Sequence, residues 1–232
     1  QTPSCTLRVS STLPLSSGLG SSATLAVATT RALSEFLGHP LDLETVNRIA
    51  FECEIHVHGK PSGIDNTVVT YERPILFQKG QQIDFLQPGS TFLFVLADSN
   101  VRKSTKDNVT QLAWALQENP AFVQPKLEEI GRLVFEGKQA LIDGNTDYLA
   151  KAINCNQKIL ESLKLSCPEM DNLVEKAIQA GALAAKLTGG GKGGHLLALV
   201  EERSLEAVLA ALQAESGGKA FFTTLQPVEK PE

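Results

Sequence analysis

Apolar residues recur at helical spacing in two stretches near the start of the chain. The pattern predicts a helix over residues 22–37 that ends at Gly38, with Pro40 beyond it, because both residue types commonly follow a helix C-terminus. The clearest amphipathic helix is predicted for Leu43–Val57. Its apolar residues share one face and are Val46, Ile49, Ala50, Cys53 and Val57.

Short apolar or alternating runs predict strands around these helices. One strand is expected at Thr6–Ser11, with no turn or cap before it, so the chain is expected to begin within a domain. Thr67–Glu72 and Pro74–Gln78 alternate in the manner of paired strands. Thr91–Leu96 is a third apolar run that predicts a strand.

The second half of the chain has a different order of elements. Three helices are predicted between about residues 103 and 163, with interruptions near Pro120 and at 143–145. A fourth helix has an apolar face formed by Met170, Leu173, Val174, Ala177 and Ile178. The elements predicted after it are a strand at 183–187, a glycine-rich loop, a strand at 195–200, a helix capped by Ser204 and a strand at 220–225.

These elements together predict an α+β fold with two domains. Strand, helices, strand, strand, helix, strand is the order of a ferredoxin-like split βαβ unit. We therefore expect a domain boundary near residue 90, with a first domain at 1–90 and a second domain at 91–232.

Charge, hydrophobicity and cysteine spacing argue against some classes of protein. The 232 residues carry a formal charge of −5 and no long basic run, which argues against nucleic-acid binding. The longest apolar stretches fall short of the roughly 18 residues that a membrane span needs, so no membrane partner is expected. The four cysteines lack CxxC spacing, and we expect free thiols in a reducing, cytoplasmic setting.

The segment Pro14–Ala23 reads PLSSGLGSSA and precedes the first predicted helix. Gly18 and Gly20 allow positive φ and close approach of the backbone to a ligand. The helix that follows directs its free N–H groups and the positive end of its dipole toward this loop, which suits a phosphate. The pattern GxxxxGK[ST] of a Walker A loop is absent. Taken alone, the segment also fits a flexible turn with an N-cap serine.

A second segment, HGKPSGIDN at residues 58–66, carries the carboxylate of Asp65. Pro61 and Gly63 stiffen and turn the backbone, so Asp65 is expected on a tight loop. A fixed carboxylate can accept a hydroxyl proton or orient the hydroxyl for in-line attack. Taken alone, the segment also fits an ordinary turn in which Asp65 bonds the backbone.

Helix geometry adds Glu54 to the candidate residues. Glu54 lies about 80° from the centre of the apolar face of its helix, and Glu52 lies about 120° away on the other side. Glu54 is therefore expected to reach a site beside the core, where it and Ser22 could provide oxygen ligands for Mg²⁺. Glu52 is expected to face solvent. A solvated helix charge is the alternative for Glu54.

Two further segments contain candidate residues. Residues 187–195 read LTGGGKGGH, and five glycines in six residues exceed what a hairpin needs. The excess indicates backbone packed against another loop or a ligand, with a long hairpin as the alternative. Downstream of the third strand, Arg102, Lys103 and Lys106 surround Ser104 and Thr105. These cations could neutralise a phosphate or hold a carboxylate, although they also fit a solvated helix start.

PLSSGLGSSA, HGKPSGIDN and LTGGGKGGH, in this order, resemble the GHMP kinase superfamily over essentially the whole chain. HGKPSGID and DSNVRKSTK look most like the mevalonate kinase family within it. The resemblance implies a ribosomal protein S5 domain 2-like N-terminal part and a ferredoxin-like C-terminal domain. It implies transfer of phosphate from ATP to the alcohol of mevalonate with Mg²⁺, in isoprenoid precursor synthesis. It allows a homodimer.

The resemblance also implies a role for individual residues. Asp65 would be the catalytic carboxylate that faces the substrate hydroxyl. Ser22 and Glu54 would bind Mg²⁺. The residues implied to bind or support the ATP phosphates are Pro14, Gly18, Leu19, Gly20, Ser21, Ser22, Gly189 and Gly191. The residues implied to lie on the substrate side are Lys103, Ser104 and Thr105.

The sequence departs from the family pattern at three places. Ser16 stands where many members have Gly, and Gly190 and Lys192 replace the Ala and Gly of GAGGGG. The segment PGKxxLxGEH, which in the family supplies a lysine that pairs with the catalytic aspartate, is not found, and a truncated chain is therefore expected. Two alternatives stay open. One is another GHMP kinase, such as a phosphomevalonate kinase, and the other is a catalytically incomplete nucleotide-binding fragment.

Overall fold

A computed structural model describes residues 4–11, 13, 18–102 and 105–227, without the side chains of residues 105 and 106. Three helices, α1 (Ser21–Phe36), α2 (Leu43–His58) and α3 (Ile64–Tyr71), pack against one another in the first part. Their small shared core consists of Val27, Val46 and Ala50, with Ala26 and Val69 packed around it.

Local signals explain the bounds of α1 and α2, which were both predicted from the sequence. α1 ends before Gly38, whose φ of 75° is readily adopted by glycine. α2 begins after Asp42, whose side chain accepts a hydrogen bond from the Thr45 N–H at 2.7 Å. Asp42 is thus the N-cap, and this bond satisfies one of the free N–H groups in the first turn.

The strand predicted at residues 67–72 is wrong, because this segment belongs to α3. Gly63, with a φ of 94°, turns the chain into the helix, and the Thr67 hydroxyl donates to the Gly63 carbonyl at 2.6 Å. The β-branched residues were misleading, since packing against α1 and α2 outweighs their preference for strands.

The strand predicted at residues 6–11 is also wrong. These residues have no regular secondary structure, and Leu7 and Val9 are about half exposed. A strand needs a neighbour to pair its backbone groups, and none of the described strands lies beside this segment.

A two-stranded ribbon follows α3. It pairs β1 (Ile75–Leu76) with β2 (Asp84–Phe85) in antiparallel register. Of the strand predicted at 74–78, only the central residues form a strand, which is β1. Its partner is β2 instead of residues 67–72, which form a helix.

The central element is a four-stranded antiparallel sheet of β3 (Phe92–Asp98), β4 (Ala184–Leu187), β5 (His195–Val200) and β6 (Ala220–Leu225). Its strand order is β4-β5-β3-β6. This order, with the intervening helices, confirms the predicted ferredoxin-like βαβ arrangement.

Helices cover both faces of this sheet. On one face, α7 (Pro168–Gln179) and α8 (Glu202–Ser216) bury an apolar core that includes Met170, Leu196 and Leu212, each with no exposed surface. The N-cap of α8 is Glu201, so the cap predicted at Ser204 is wrong. Ser204 lies in the first turn, where its hydroxyl donates to the Glu201 carbonyl at 3.2 Å.

The three helices predicted between residues 103 and 163 are α4 (Thr105–Glu118), α5 (Pro120–Ile142) and α6 (Thr146–Ser162). α5 and α6 cover the second face of the sheet through a core of Phe92, Phe94, Ala140, Leu149, Ala150, Ile153, Ala184 and Leu199. None of the helices in the described ranges is long and apolar enough to cross a membrane.

The domain boundary near residue 90 stays a prediction. The sheet begins at Phe92, which agrees with a boundary there. Hydrogen bonds nevertheless tie the preceding residues to the second half. The Gly89 N–H donates to the Leu141 carbonyl at 2.9 Å, and the Ser90 hydroxyl donates to the Gly144 carbonyl at 3.3 Å.

The outer edge of β4 is paired by side chains instead of by another strand. Asn154 of α6 donates to the Leu183 carbonyl at 3.0 Å and accepts from the Ala185 N–H at 3.3 Å. Gln157 accepts from the Leu187 N–H at 2.9 Å. These bonds satisfy backbone groups that an open edge would leave unpaired, and they hold the strand that leads into the glycine-rich loop.

We expect the Gln157→Ala variant to lose about 1–3 kcal/mol in the free energy of unfolding, because the buried Leu187 N–H loses its partner. Urea denaturation measures this loss. Gln124→Ala is the matched control, since Gln124 is exposed and bonds only Glu128 of its own helix, and its change should stay within about 0.5 kcal/mol. Equal effects of the two substitutions would contradict the role of Gln157 at the sheet edge.

Candidate active site

The first glycine-rich loop leads into α1 with its backbone in an unusual conformation. Gly18 and Gly20 have φ values of 79° and 65°, and Gly20 is the N-cap of α1. No side chain of the described residues caps this helix end. The first N–H groups of Ser21 and Ser22 are therefore oriented as a phosphate-binding helix N-terminus requires. Pro14 lies outside the described residues.

Ser22 and Glu54 meet between α1 and α2. The Ser22 hydroxyl donates to Glu54 Oε1 at 2.5 Å, and Glu54 is only 4% exposed. The second carboxylate oxygen lies 3.6 Å from Nε2 of His58, one turn later in α2. Glu52, on the other side of the helix, is exposed. Two residues that are 32 positions apart thus provide adjacent oxygen atoms beside the loop.

The face of α2 that is buried differs from the apolar face that was predicted. It is rotated about the helix axis toward Glu54. Val46 and Ala50 are buried as predicted, but Cys53 is exposed and Val57 is 64% exposed. α2 packs on α1 and α3 through the side that carries Glu54. The burial of Glu54 is compensated by its bond with Ser22 and by the nearby imidazole of His58.

Asp65 was predicted on a tight loop, but it lies in the first turn of α3, because the turn ends at Gly63 and the helix begins at Ile64. It is next to the first glycine-rich loop. An added Cβ atom at Gly20 would lie 3.5 Å from the Asp65 Cβ and 3.6 Å from its Cγ, so the Asp65 side chain lies beside the backbone of Gly20. Asp65 nevertheless keeps an exposed side. The pKa of its carboxyl is raised above the ordinary value by loss of hydration on the protein side and by the charge of Glu54, while His58 lowers it.

The third glycine-rich segment lies close to the first. An added Cβ at Gly189, whose φ is 82°, would lie 4.0 Å from the Cα and the carbonyl oxygen of Gly18. At Gly191 a Cβ would lie 2.5 Å from the Leu165 carbonyl oxygen. Asn108 of α4 donates to the carbonyls of residues 190 and 191 at 3.1 and 2.8 Å. The glycines therefore allow backbone-to-backbone packing that side chains would prevent.

Two cations near these loops already have partners. Lys192 has a positive φ of 54°, and its ammonium group donates to the Gln111 side chain in α4. Arg102 donates to both oxygens of Asp98 at 2.7 and 2.5 Å, and Asp98 is only 1% exposed. These bonds hold the pKa of Asp98 below its ordinary value. Arg102 is thus part of a structural ion pair at the end of β3.

The residues predicted on the substrate side lie mostly outside the described part of the chain. Lys103 and Ser104 lie outside the described residues. Thr105 begins α4, and nothing is described of its side chain or of the Lys106 side chain. Their role on the substrate side stays a prediction.

Sequence reasoning missed two polar residues close to Asp65. Asn66 is 2% exposed, and its amide donates to Asn47 Oδ1 of α2 at 2.6 Å. A weak signal was present, since Asn47 precedes Glu54 by two helical turns and therefore lies on the same side of α2.

The oxygen atoms at the site suit Mg²⁺ better than they suit a metal ion whose ligands are all protein side chains. The described residues contain no group of three His, Cys, Asp or Glu side chains that could hold a metal ion. Ser22 and Glu54 provide a hydroxyl and a carboxylate next to the loop. Mg²⁺ commonly takes one or two protein oxygens and completes its coordination with phosphate and water.

Comparison with known proteins identifies the family of the chain. Residues 1–73 match the GHMP kinases N terminal domain, and residues 138–218 match the GHMP kinases C terminal domain. A mevalonate kinase of Aeropyrum pernix is 35% identical over 224 residues, which cover 95% of this chain and 68% of that protein. A mevalonate kinase of Thermococcus gammatolerans is 33% identical over 227 residues, which cover 95% and 66%.

A solved structure gives the same result. The crystal structure of L. major mevalonate kinase in complex with R-mevalonate matches with a TM-score of 0.85 and 31% sequence identity. The match covers 91% of this chain and 67% of that one. The chain thus spans about two thirds of the length of these relatives. By sequence and by fold, the chain belongs to the GHMP kinase family, in which it groups with the mevalonate kinases.

Proposed function

We propose that the complete protein that carries this chain transfers the terminal phosphate of ATP to the primary alcohol of mevalonate. The observation that carries the proposal is the position of Asp65, which lies beside Gly20 at the N-terminus of α1. A carboxylate beside a phosphate-binding helix end can act on a hydroxyl that attacks the phosphate. The names of the relatives support mevalonate as that alcohol.

The nucleotide end of the site would consist of the first loop and α1. Gly18 and Gly20 let the backbone come close to the phosphates, and the N–H groups of Ser21 and Ser22 face them. Gly189 supports this loop from the other side. Fixed N–H groups and the helix dipole stabilise the negative charge that develops on the transferred phosphate, and they need no reorganisation during the reaction.

The acceptor end of the site would be Asp65. Its exposed side is open to a ligand, and its raised pKa gives the carboxylate more affinity for a proton than a fully hydrated aspartate has. In its ionised form it can orient the alcohol and accept its proton as the phosphate is transferred. Most of the rate enhancement in such reactions comes from positioning and electrostatics.

Ser22 and Glu54 are the residues that would hold Mg²⁺. When bound with the nucleotide, the ion supplies positive charge to the phosphate oxygens. The bond between Ser22 and Glu54 keeps the two oxygens adjacent, and the burial of Glu54 restricts its side chain.

The substrate is tested by measuring ADP release by the complete protein with mevalonate, phosphomevalonate, galactose or homoserine. We expect turnover with mevalonate and rates at least about 100-fold lower with the others, since a site that hydrogen-bonds its substrate rejects poorly matched ones. Preference for phosphomevalonate would identify another GHMP kinase. ATP binding without turnover of any alcohol would identify a nucleotide-binding protein, and either result would refute the substrate assignment.

Asp65→Asn should lower kcat by about 100-fold to 10,000-fold and leave ATP binding in place, because the amide cannot accept the proton. Steady-state kinetics and nucleotide titration measure the two effects. Asp147→Asn, at an exposed position in the first turn of α6, is the control and should keep wild-type kcat. An active Asp65→Asn enzyme would remove Asp65 from the mechanism.

The same variant tests the raised pKa of Asp65. A carboxyl whose pKa is higher in the folded state destabilises the fold once it ionises, so Asp65→Asn should be slightly more stable at pH 7. The gain should disappear below the unfolded pKa of about 3.8, where Asp65 is protonated in both states. Denaturation curves at several pH values measure this difference. A variant that is less stable than wild type at pH 7 would contradict the shift.

Glu54→Gln should raise the Mg²⁺ concentration needed for half-maximal rate on the order of 10-fold or more, because the amide is a weaker ligand. Glu52→Gln is a closely matched control, two residues away in α2 and exposed, and should leave the Mg²⁺ dependence unchanged. Titration of Mg²⁺ at saturating ATP measures both. Identical curves for the two variants would exclude Glu54 as a ligand.

A further inference from the structure

A pair of asparagines joins α2 to the first turn of α3. Asn66 Nδ2 donates to Asn47 Oδ1 at 2.6 Å and approaches the Asn47 carbonyl at 3.4 Å. Asn66 is 2% exposed, so its amide is removed from water and depends on these partners. The bond links residues 19 positions apart in the chain and lies immediately beside Asp65.

Thr67 extends the same contact. Its hydroxyl donates to the Gly63 carbonyl at 2.6 Å, and the Asn47 amide donates to the hydroxyl at 3.4 Å. Asn47 therefore contacts two successive residues of α3, and Thr67 ties them to the glycine that begins the helix. We call Asn47, Asn66 and Thr67 the amide clip.

The amide clip restrains the rotation of α3 about its own axis at the start of the helix, while Arg31 of α1 donates to the Thr70 carbonyl near its end. Successive side chains of a helix point about 100° apart, so a fixed Asn66 determines the direction of Asp65. α3 has only eight residues, and its N-cap is Gly63, which has no side chain. So short a helix depends on tertiary contacts for its position. Without the clip, a rotation would turn the Asp65 carboxylate away from Gly20.

The other end of the clip lies on the helix that carries Glu54. Asn47 precedes Glu54 by seven residues, which is about two turns, so both lie on the same side of α2. Glu54 is bonded to Ser22, next to Gly20. The positions of both carboxylates of the site therefore depend on α2. Glu54 is part of this helix, and Asp65 precedes Asn66, which bonds to it.

Stability alone does not require an amide pair at this position, where Asn66 is buried and Asn47 is half-buried. Two apolar side chains of similar volume would fill the space without desolvating polar groups. A hydrogen-bonded pair adds direction, which an apolar contact lacks.

We propose that Asn47 and Asn66 are positioning residues, which hold the Asp65 carboxylate against the phosphate-binding loop in the orientation that phosphoryl transfer requires. The proposal rests on the role of Asp65 given above. Its effect is expected in kcat, because Asn47 and Asn66 act through the direction of Asp65, and none of the described hydrogen bonds joins either of them to the first loop.

The test compares three variants of the complete protein with wild type in steady-state kinetics and thermal unfolding. Asn47→Leu/Asn66→Leu replaces the polar pair by apolar residues of similar volume and should fold with a Tm close to wild type. It should lower kcat by about 10-fold to 100-fold, since a misplacement of about 1 Å can have an effect of this size. The KM for ATP should change less than about threefold, because the loop and α1 are untouched.

Asn47→Ala should show the same loss of kcat. Asn47→Asp keeps an acceptor for the Asn66 amide and should return kcat to within about fivefold of wild type. Asn172→Ala, an exposed asparagine of α7 bonded to Glu215, is the control for the substitution itself and should change neither kcat nor Tm.

Each result decides for or against the proposal. A folded double variant with wild-type kcat overturns it, as does a loss of kcat that Asn47→Asp does not restore. If the double variant does not fold, the comparison of Asn47→Ala with Asn47→Asp decides alone. Wild type that phosphorylates no alcohol refutes the proposed function instead, and this outcome is visible before any variant is measured.

Discussion

The position of one buried carboxylate, Glu54, governs the arrangement of the first half of the chain. Its charge is out of water and raises the pKa of Asp65, so the structure holds two like charges close together. The Ser22 hydroxyl and the His58 imidazole offset part of this repulsion. The close packing of α1, α2 and α3 offsets the remaining repulsion. It also brings both carboxylates to the N-terminus of α1, where the helix dipole favours negative charge.

Local sequence signals predicted the elements whose ends are marked by glycine, proline or a capping side chain. The helices α1, α2, α4, α5 and α6 and the order of the sheet strands were predicted in this way, and Gly38 at the end of α1 is a clear example. The failures have a common cause. Residues 67–72 have a strand-like pattern but lie against two helices, and residues 6–11 have one without a neighbouring strand. In both cases contacts with the rest of the fold determine the secondary structure, and a local sequence pattern carries no information about these contacts.

The site could be predicted to the extent that its residues lie in recognisable motifs. The three glycine-rich or aspartate-containing segments were expected to converge, and Asp65, Gly18, Gly20 and Gly189 do lie together. The partners of Arg102 and Asn66 were not expected. Arg102 binds an aspartate at the end of a buried strand, and Asn66 binds a residue of another helix. Such pairs arise from tertiary packing, which leaves no local signal.

The side chains of α6 that occupy the outer edge of β4 also restrict how this sheet can grow. Asn154 and Gln157 already bond its backbone groups, whereas β6 pairs with β3 alone among the described strands. A fifth strand, whether from the same polypeptide or from a neighbour, could join without displacing these side chains only next to β6. The sheet can therefore be extended at one edge only: it is closed at β4, which leads into the glycine-rich loop, and open at β6 on the opposite side.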